Sequence, residues 1–230
     1  MVCRCLYTIR HCHNIMNIYF VRHGITGGNE SNQYQLPTIE LSEQGINQAQ
    51  FVAKRFKTIP VEVIFASPMT RASQTASIIA DSIGLKVMES SLFEEIKRPS
   101  IVCGRSKNEP DVKSVMKIVK ETFADPDKRH SDEEDYFQLK DRAEEVLKFL
   151  SERNENEILV VTHGEILRMI LSLVIFGKEL TPEIFDQVRR TFIPHNTGIT
   201  VIQYDLSFEF HKSGWYVLSW NDYAHLGDSR

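Results

Sequence analysis

Long apolar runs are missing from this chain of 230 residues. The greasiest stretch, Met169 to Phe176, falls far short of the ~18–20 consecutive apolar residues that cross a bilayer, so no membrane partner is expected. An excess of charge of one sign is missing as well: 27 Lys+Arg stand against 31 Asp+Glu, a net charge of −4. A nucleic-acid or membrane-surface binder draws its affinity from a broad basic field, so neither partner is expected and any anion site has to be local. Cysteine is scarce, with Cys3, Cys5 and Cys12 crowded at the start and Cys103 alone. That is not the spacing of a secreted disulfide scaffold, and it points to a reducing compartment, the cytoplasm. His11 and His13 lie near the first three cysteines, but no paired C-x-x-C and H-x-x-x-H spacing accompanies them, and no metal is expected. Repeats and low-complexity tracts are absent. No secretory leader is expected in the first fifteen residues, because Arg4 and Arg10 interrupt any apolar segment and no small-residue cleavage site follows. Residues 1–15 are expected to be an extension outside the fold, with Met16 standing just before the first strand.

What is present is enough apolar material, 42% of the chain, to bury the core of one domain carrying an elaborated insertion. Ile18-Tyr19-Phe20-Val21 reads as a buried strand, followed by a loop in which Gly24, Gly27 and Gly28 permit close backbone approach to a ligand. Ser42 reads as the N-cap of a helix through Lys57 whose apolar positions Ile46, Ala49, Val52, Ala53 and Phe56 share one face. Val61 to Ala66 is a second strand. Ser67 as N-cap and Pro68 at the first helical position then predict a helix ending at a Gly84 C-cap, with Arg71 in its first turn. Leu85 to Val87 is expected to form a short strand.

From Lys97 to Asn156 the strand rhythm stops and helical spacing takes over, with Val112, Val115, Met116, Val119 and Phe123 on one face and Ala143, Val146, Leu147 and Leu150 on another. A helical insertion over about 97–156 is expected, its acidic stretch Asp125 to Asp135 forming a solvated loop. Ile158 to Thr162 is a third strand, followed by a helix Glu165 to Phe176 that is apolar almost all round, as befits a buried element. Gly198 to Tyr204 and Trp215 to Trp220 alternate like antiparallel strands extending a sheet at its edge. The class is α/β.

Three of these strands end in residues suited to phosphate: Arg22-His23-Gly24, then Ser67-Pro68-Met69-Thr70-Arg71, then Thr162-His163-Gly164. In an open α/β sheet, ligands bind outside the carboxyl ends of the strands, so residues far apart in sequence can converge there. Two imidazoles and two guanidiniums converge in this case. Arg is always charged and its planar fork matches phosphate oxygens, while His serves as nucleophile or acid/base near neutral pH, so the set reads as phosphoryl chemistry.

Arg22-His23-Gly24-x-Thr26-x-x-Asn29, Leu41-Ser42-x-x-Gly45-x-x-Gln48-Ala49, Ser67-Pro68-x-x-Arg71-Ala72-x-Gln74-Thr75-Ala76 and Thr162-His163-Gly164 together resemble the histidine phosphatase superfamily, the phosphoglycerate-mutase-like fold. The likeness runs in order from about Asn17 to about Tyr204 and is weakest in the insertion. It implies a three-layer α/β/α sandwich with a mostly parallel sheet and the insertion covering the site. It makes His23 the nucleophile that becomes a phosphohistidine, with Arg22, Arg71 and His163 around the transferring phosphoryl group and Thr26, Asn29 and the Gly164 amide as further substrate-binding donors. The leaving alkoxide needs a proton, so a carboxyl with a raised pKa is expected beside it. Aligning Phe93-Glu94-Glu95-Ile96 with the family's segment selects Glu95, with Glu94 as the alternative. Lys97, Arg98, Arg105 and Lys107 follow closely and are either a second anion site or solvated charges.

Within that superfamily, the cofactor-dependent mutases resemble one another in a Glu-Ser-x-Trp-Asn continuation after Arg-His-Gly and a longer Pro-rich insertion. This chain has Ile25-Thr26-Gly27-Gly28-Asn29 instead. The expectation is therefore a phosphomonoester hydrolase acting on a small phosphorylated metabolite without a cofactor. A mutase-type phosphotransferase, a phosphoprotein phosphatase and a non-catalytic phospho-ligand binding module are the alternatives, and a homodimer is compatible with the sequence.

Overall fold

The structure, a computed structural model, describes residues 15–207 and 213–227. The expectations for the first segment, with Cys3, Cys5 and Cys12, therefore fall outside the described residues except at Ile15. The elements run β1 (Met16–Arg22), α1 (Gly27–Glu30), α2 (Glu43–Phe56), β2 (Val63–Ala66), α3 (Thr70–Ile83), β3 (Val87–Glu89), α4 (Pro110–Thr122), α5 (Tyr136–Ser151), β4 (Glu157–Thr162), α6 (Gly164–Phe176), α7 (Pro182–Thr191), β5 (Ile199–Tyr204) and β6 (Trp215–Asp222).

The strands form one mixed sheet in the order β3-β2-β4-β1-β5-β6. The first four run parallel; β5 is antiparallel to β1, and β6 is antiparallel to β5. Both faces are covered, so the inner strands are apolar on both sides and their residues divide between two cores. Ile158 and Val160 of β4 pack with Ile18, Phe20 and Phe65 under α5, α6 and α7, while Leu159 and Val161 pack with Val21 and Ile64 under α2 and α3. This is the expected three-layer sandwich.

The local signals explain the element ends. Ser42 caps α2 by accepting from Gly45 N at 3.2 Å. Gly84, at φ 75°, closes α3 in the left-handed conformation that glycine adopts without a Cβ penalty. The start of α3 differs from expectation: its N-cap is Met69, not Ser67, because Ser67 is buried at the end of β2 and its hydroxyl is used elsewhere.

The segment from 97 to 156 divides by burial. In α5, Leu139, Ala143, Val146 and Leu150 are fully buried in the core under the sheet, whereas α4 buries only Val112 and Val119. The acidic stretch is not simply solvated. Glu133 is 3% exposed and accepts from His130 N and Ser131 N, Asp135 caps α5, and Asp132 holds Ser100 and Lys97. These carboxylates are tied to backbone donors, which composition alone does not reveal.

Candidate active site

Sheet register builds the centre. Arg22 of β1 lies opposite Thr162 of β4, and Ala66 of β2 lies opposite Val161, so His23, Ser67 and His163 emerge at one level from three adjacent strands. Backbone bonds continue past the strands, His23 N to Thr162 O at 2.9 Å and Ser67 N to Val161 O at 3.0 Å, and lock that level. The two imidazoles sit with centroids 5.1 Å apart.

His23 Nδ1 lies 2.7 Å from Gly24 O. A carbonyl only accepts, so Nδ1 carries the proton and Nε2 carries the lone pair. Arg71 Nε donates to that Nε2 at 3.2 Å. Burial first, then the guanidinium of Arg71, His163 and Arg22, hold the His23 pKa well below its ordinary value, so the ring is neutral. His163 is neutral for the same reasons, burial first and then Arg71, Arg22 and Arg142. Its Nε2 meets Ser67 Oγ at 2.8 Å, and Met69 N donates to the same oxygen at 3.2 Å.

Arg22 is tethered through Nη1 to Pro194 O at 2.6 Å, and burial brings its pKa down to about 10, which leaves it charged at neutral pH. Arg71 is fixed by Leu36 O at 3.2 Å. Two buried atoms at this centre, Arg22 Nε and His163 Nδ1, have no protein partner. An unpaired buried polar group costs roughly 1–3 kcal/mol, so a site retaining two of them is built to receive an acceptor.

The loop after β1 is held by close packing and by buried amides. A Cβ on Gly45 would collide with Ile25 O, and one on Gly24 would come within 2.6 Å of Gly45 O, so only glycine pairs fit where α2 crosses the loop. Gln48 Oε1 accepts from Ile25 N at 2.9 Å and Thr75 Oγ1 accepts from Gly24 N at 3.1 Å. Thr26 does not line the cavity. It is fully buried as the N-cap of α1, its hydroxyl engaged by Asn29 N and Asn29 Oδ1. Asn29 lines the cavity with that oxygen turned back on the turn, and Gly164 forms the wall beside Arg22.

Glu95 lies beside Gly164 at the start of α6, its carboxylate accepting from Ile96 N at 3.0 Å, Glu165 N at 3.0 Å and Ile166 N at 3.3 Å. Burial alone would raise its pKa, but the backbone donors and the charges of Arg98 and Arg71 outweigh burial and hold the carboxyl below its ordinary range. The expectation of a raised pKa is thus corrected for the unliganded protein: a carboxylate capping the positive end of α6 is stabilised as an anion. Glu94 lines the same cavity, and its backbone carbonyl accepts from Arg142 at 2.7 Å, which fixes the segment carrying both acids. The cavity, about 590 Å³, is lined on its outer side by the segments around Tyr34 and Arg98, among others. Those two segments are zipped together, Tyr34 N to Arg105 O at 3.0 Å and Lys107 N to Asn32 O at 3.0 Å. Arg105 itself pairs outward with Glu109 and Asp111 and does not line the cavity.

Residues that sequence reasoning passed over complete the frame. Asn196 Nδ2 donates to His23 O at 2.8 Å, and Asn221 ties down the loop of Pro194 by accepting from His195 N at 2.7 Å and donating to Ile193 O at 3.0 Å. Gln74, already part of the motif around Arg71, accepts from Leu41 N at 2.8 Å. Among the described residues, no group of three or more His, Cys, Asp or Glu is arranged to hold a metal ion, and no helix is long and apolar enough to cross a membrane.

A three-layer α/β sandwich whose parallel strands deliver a neutral, guanidinium-flanked histidine pair defines the class of phosphoryl-handling histidine enzymes. The chain belongs to the histidine phosphatase superfamily (branch 1), whose signature matches residues 18–223. It is 28% identical over 221 residues to a "probable phosphoglycerate mutase GpmB" of Proteus mirabilis, covering 93% of this chain and 96% of that protein. Among solved structures, Bacillus stearothermophilus YhfR superposes with a TM-score of 0.76 at 22% identity, over 92% of this chain and 99% of that one. The phosphoserine phosphatase of Entamoeba histolytica, solved with phosphoserine, superposes with a TM-score of 0.70 at 24% identity, also over 92% and 99%.

Proposed function

We propose that the protein hydrolyses small phosphomonoesters through a phosphohistidine at His23. The observation that carries this reading is the neutral His23 ring, with its proton fixed on Nδ1 by Gly24 O and its Nε2 lone pair against Arg71, in a centre where Arg22 Nε and His163 Nδ1 are buried without a protein partner. A neutral nucleophile surrounded by fixed positive charge suits phosphoryl transfer, where catalysis is chiefly positioning and charge stabilisation.

In the first step His23 Nε2 attacks phosphorus in line, the P–O bond to the alcohol breaks, and Glu95 gives its proton to the departing alkoxide. Glu95 takes that proton from solvent as the substrate binds, because a phosphate dianion beside the carboxylate disfavours its ionised form and raises its pKa. In the second step Glu95 takes a proton from water, the water oxygen attacks phosphorus, and the P–N bond breaks to restore neutral His23. Arg22, Arg71 and His163 bind the non-bridging oxygens in both steps. When Ser67 donates to His163 Nε2, the ring proton sits on Nδ1, aimed at the anion.

The relative named as a probable mutase supports the second reading, in which a substrate hydroxyl rather than water receives the phosphoryl group. The loop Ile25-Thr26-Gly27-Gly28-Asn29 favours hydrolysis. An assay with para-nitrophenyl phosphate tests the choice: release of inorganic phosphate by the wild type, with none above background from His23→Ala, is expected. Absence of phosphate release by the wild type would overturn hydrolysis in favour of transfer or mere binding.

A further inference from the structure

Glu165 sits at the centre of an arginine cluster that the phosphohistidine chemistry does not use. Its carboxylate pairs with Arg168 at 2.8 Å, Arg189 at 3.0 Å and Arg98 at 3.5 Å. All four side chains are largely buried, the guanidiniums 15–22% exposed and the carboxylate 12%. One carboxylate against three guanidiniums leaves positive charge in excess where screening by solvent is weak, offset in part by Glu95 near Arg98 and Asp186 near Arg189.

The cluster stands at a junction. Tyr34, Arg98 and Glu165 line the cavity of His23 and also a second cavity of about 480 Å³ between α4 and α7, which Arg189 and Lys120 border further out. The two cavities therefore adjoin at these three residues, with the phosphoryl site on one side and Arg189 on the other. Lys107, an exposed residue, adds a further cation to the lining of the His23 cavity, its pKa lowered first by desolvation and then by Arg98 and Arg22. Arg98 is the member held most loosely, through Nη2 alone at 3.5 Å, and it arises from a loop that lines the site.

We propose, building on the phosphatase reading, that the substrate is a phosphomonoester bearing a second anionic group, and that Arg98 and Arg189 bind that group in competition with Glu165. Guanidinium forks suit carboxylate and phosphate oxygens alike. A second anion offsets the excess charge and draws Arg98 from its weak contact with Glu165, whereas a neutral tail leaves the excess in place. Glu165 acts as the internal stand-in that keeps the arginines folded inward when no substrate is bound. Because its backbone N–H also binds Glu95, the two ends of the substrate are read by adjoining parts of one residue.

The test uses matched pairs: 3-phosphoglycerate against glycerol 3-phosphate, which differ by a carboxylate, and fructose 1,6-bisphosphate against fructose 6-phosphate, which differ by a second phosphate. For the wild type, kcat/KM is expected to favour the anion-bearing member of one pair at least about tenfold, and which pair shows it identifies carboxylate or phosphate as the group. Arg98→Gln and Arg189→Gln should each reduce that ratio about tenfold, and Glu165→Gln should raise it. Opposite signs at partners of one ion pair are not produced by a merely structural role. Calorimetric binding of the same pairs to His23→Ala keeps the comparison independent of turnover and of any unfolding, which would abolish all binding alike. Equal values within both pairs, or a preference that survives in both arginine variants, overturns the proposal. If para-nitrophenyl phosphate is also untouched, the phosphatase reading fails separately.

Discussion

Arg71 Nε donates to His23 Nε2 at 3.2 Å, so the lone pair that would attack phosphorus rests against a cation in the unliganded protein. The contact has two consequences. It suppresses protonation of the ring, and it places the guanidinium where it can pass from nitrogen to a phosphoryl oxygen as substrate arrives.

Neutral burial of the histidines makes stability depend on pH. His23 and His163 have folded pKa values well below 6.5, so as pH falls through about 6.5 the unfolded chain binds protons that the folded one refuses. Their stabilisation is complete above 6.5 and is lost below it at about 1.4 kcal/mol per pH unit per group. His225, held down to about 4 first by burial and then by Arg55, adds in the same direction. Urea melts should show stability falling by about 3 kcal/mol between neutral pH and 5.5 from the two active-site rings, with about half that loss removed in His23→Asn. The contribution of Glu95 is still complete in this range and is lost only as pH falls below the ordinary carboxylate range, which keeps the windows apart.

Ser67→Ala should lower kcat about tenfold, equivalent to one buried hydrogen bond of ~1–1.5 kcal/mol, with little change in KM. The serine holds the second imidazole rather than the ground-state substrate. Steady-state kinetics check this, and a change confined to KM would contradict it.

Glu95→Gln should slow substrates with poor leaving groups far more than para-nitrophenyl phosphate, because a nitrophenolate departs without a proton. Loss of the base should also slow attack of water and let the phosphoenzyme accumulate with good leaving groups. Glu94→Gln should be milder. Single-turnover quench measurements on both variants compare the steps directly, and selective loss in Glu94→Gln alone would move the role by one residue.

The inner strands were legible because a sheet covered on both faces demands continuous apolar runs such as Ile158 to Val161, and the caps at Ser42 and Gly84 act locally. Ser67 was misread as a cap for the opposite reason. Its partner His163 lies 96 residues away, and only the β2–β4 register brings them together. Asn196 and Asn221 stayed hidden likewise, acting through backbone carbonyls across 173 and 28 residues. The short strand expected at Leu85 to Val87 forms at Val87–Glu89, since Leu85 is still occupied in closing α3 through its bond to Ala80 O. α7 carries a Thr181 cap followed by Pro182, signals that the reading of the chain passed over, and with it went the place of Arg189.

The central claim is a covalent phosphoryl group on His23, and rapid quench of labelled substrate turnover into alkaline denaturant, followed by peptide mapping, tests it most directly. The account predicts acid-labile label on the peptide containing His23 and none in His23→Ala. Label on another residue, or equal labelling of the variant, would contradict it.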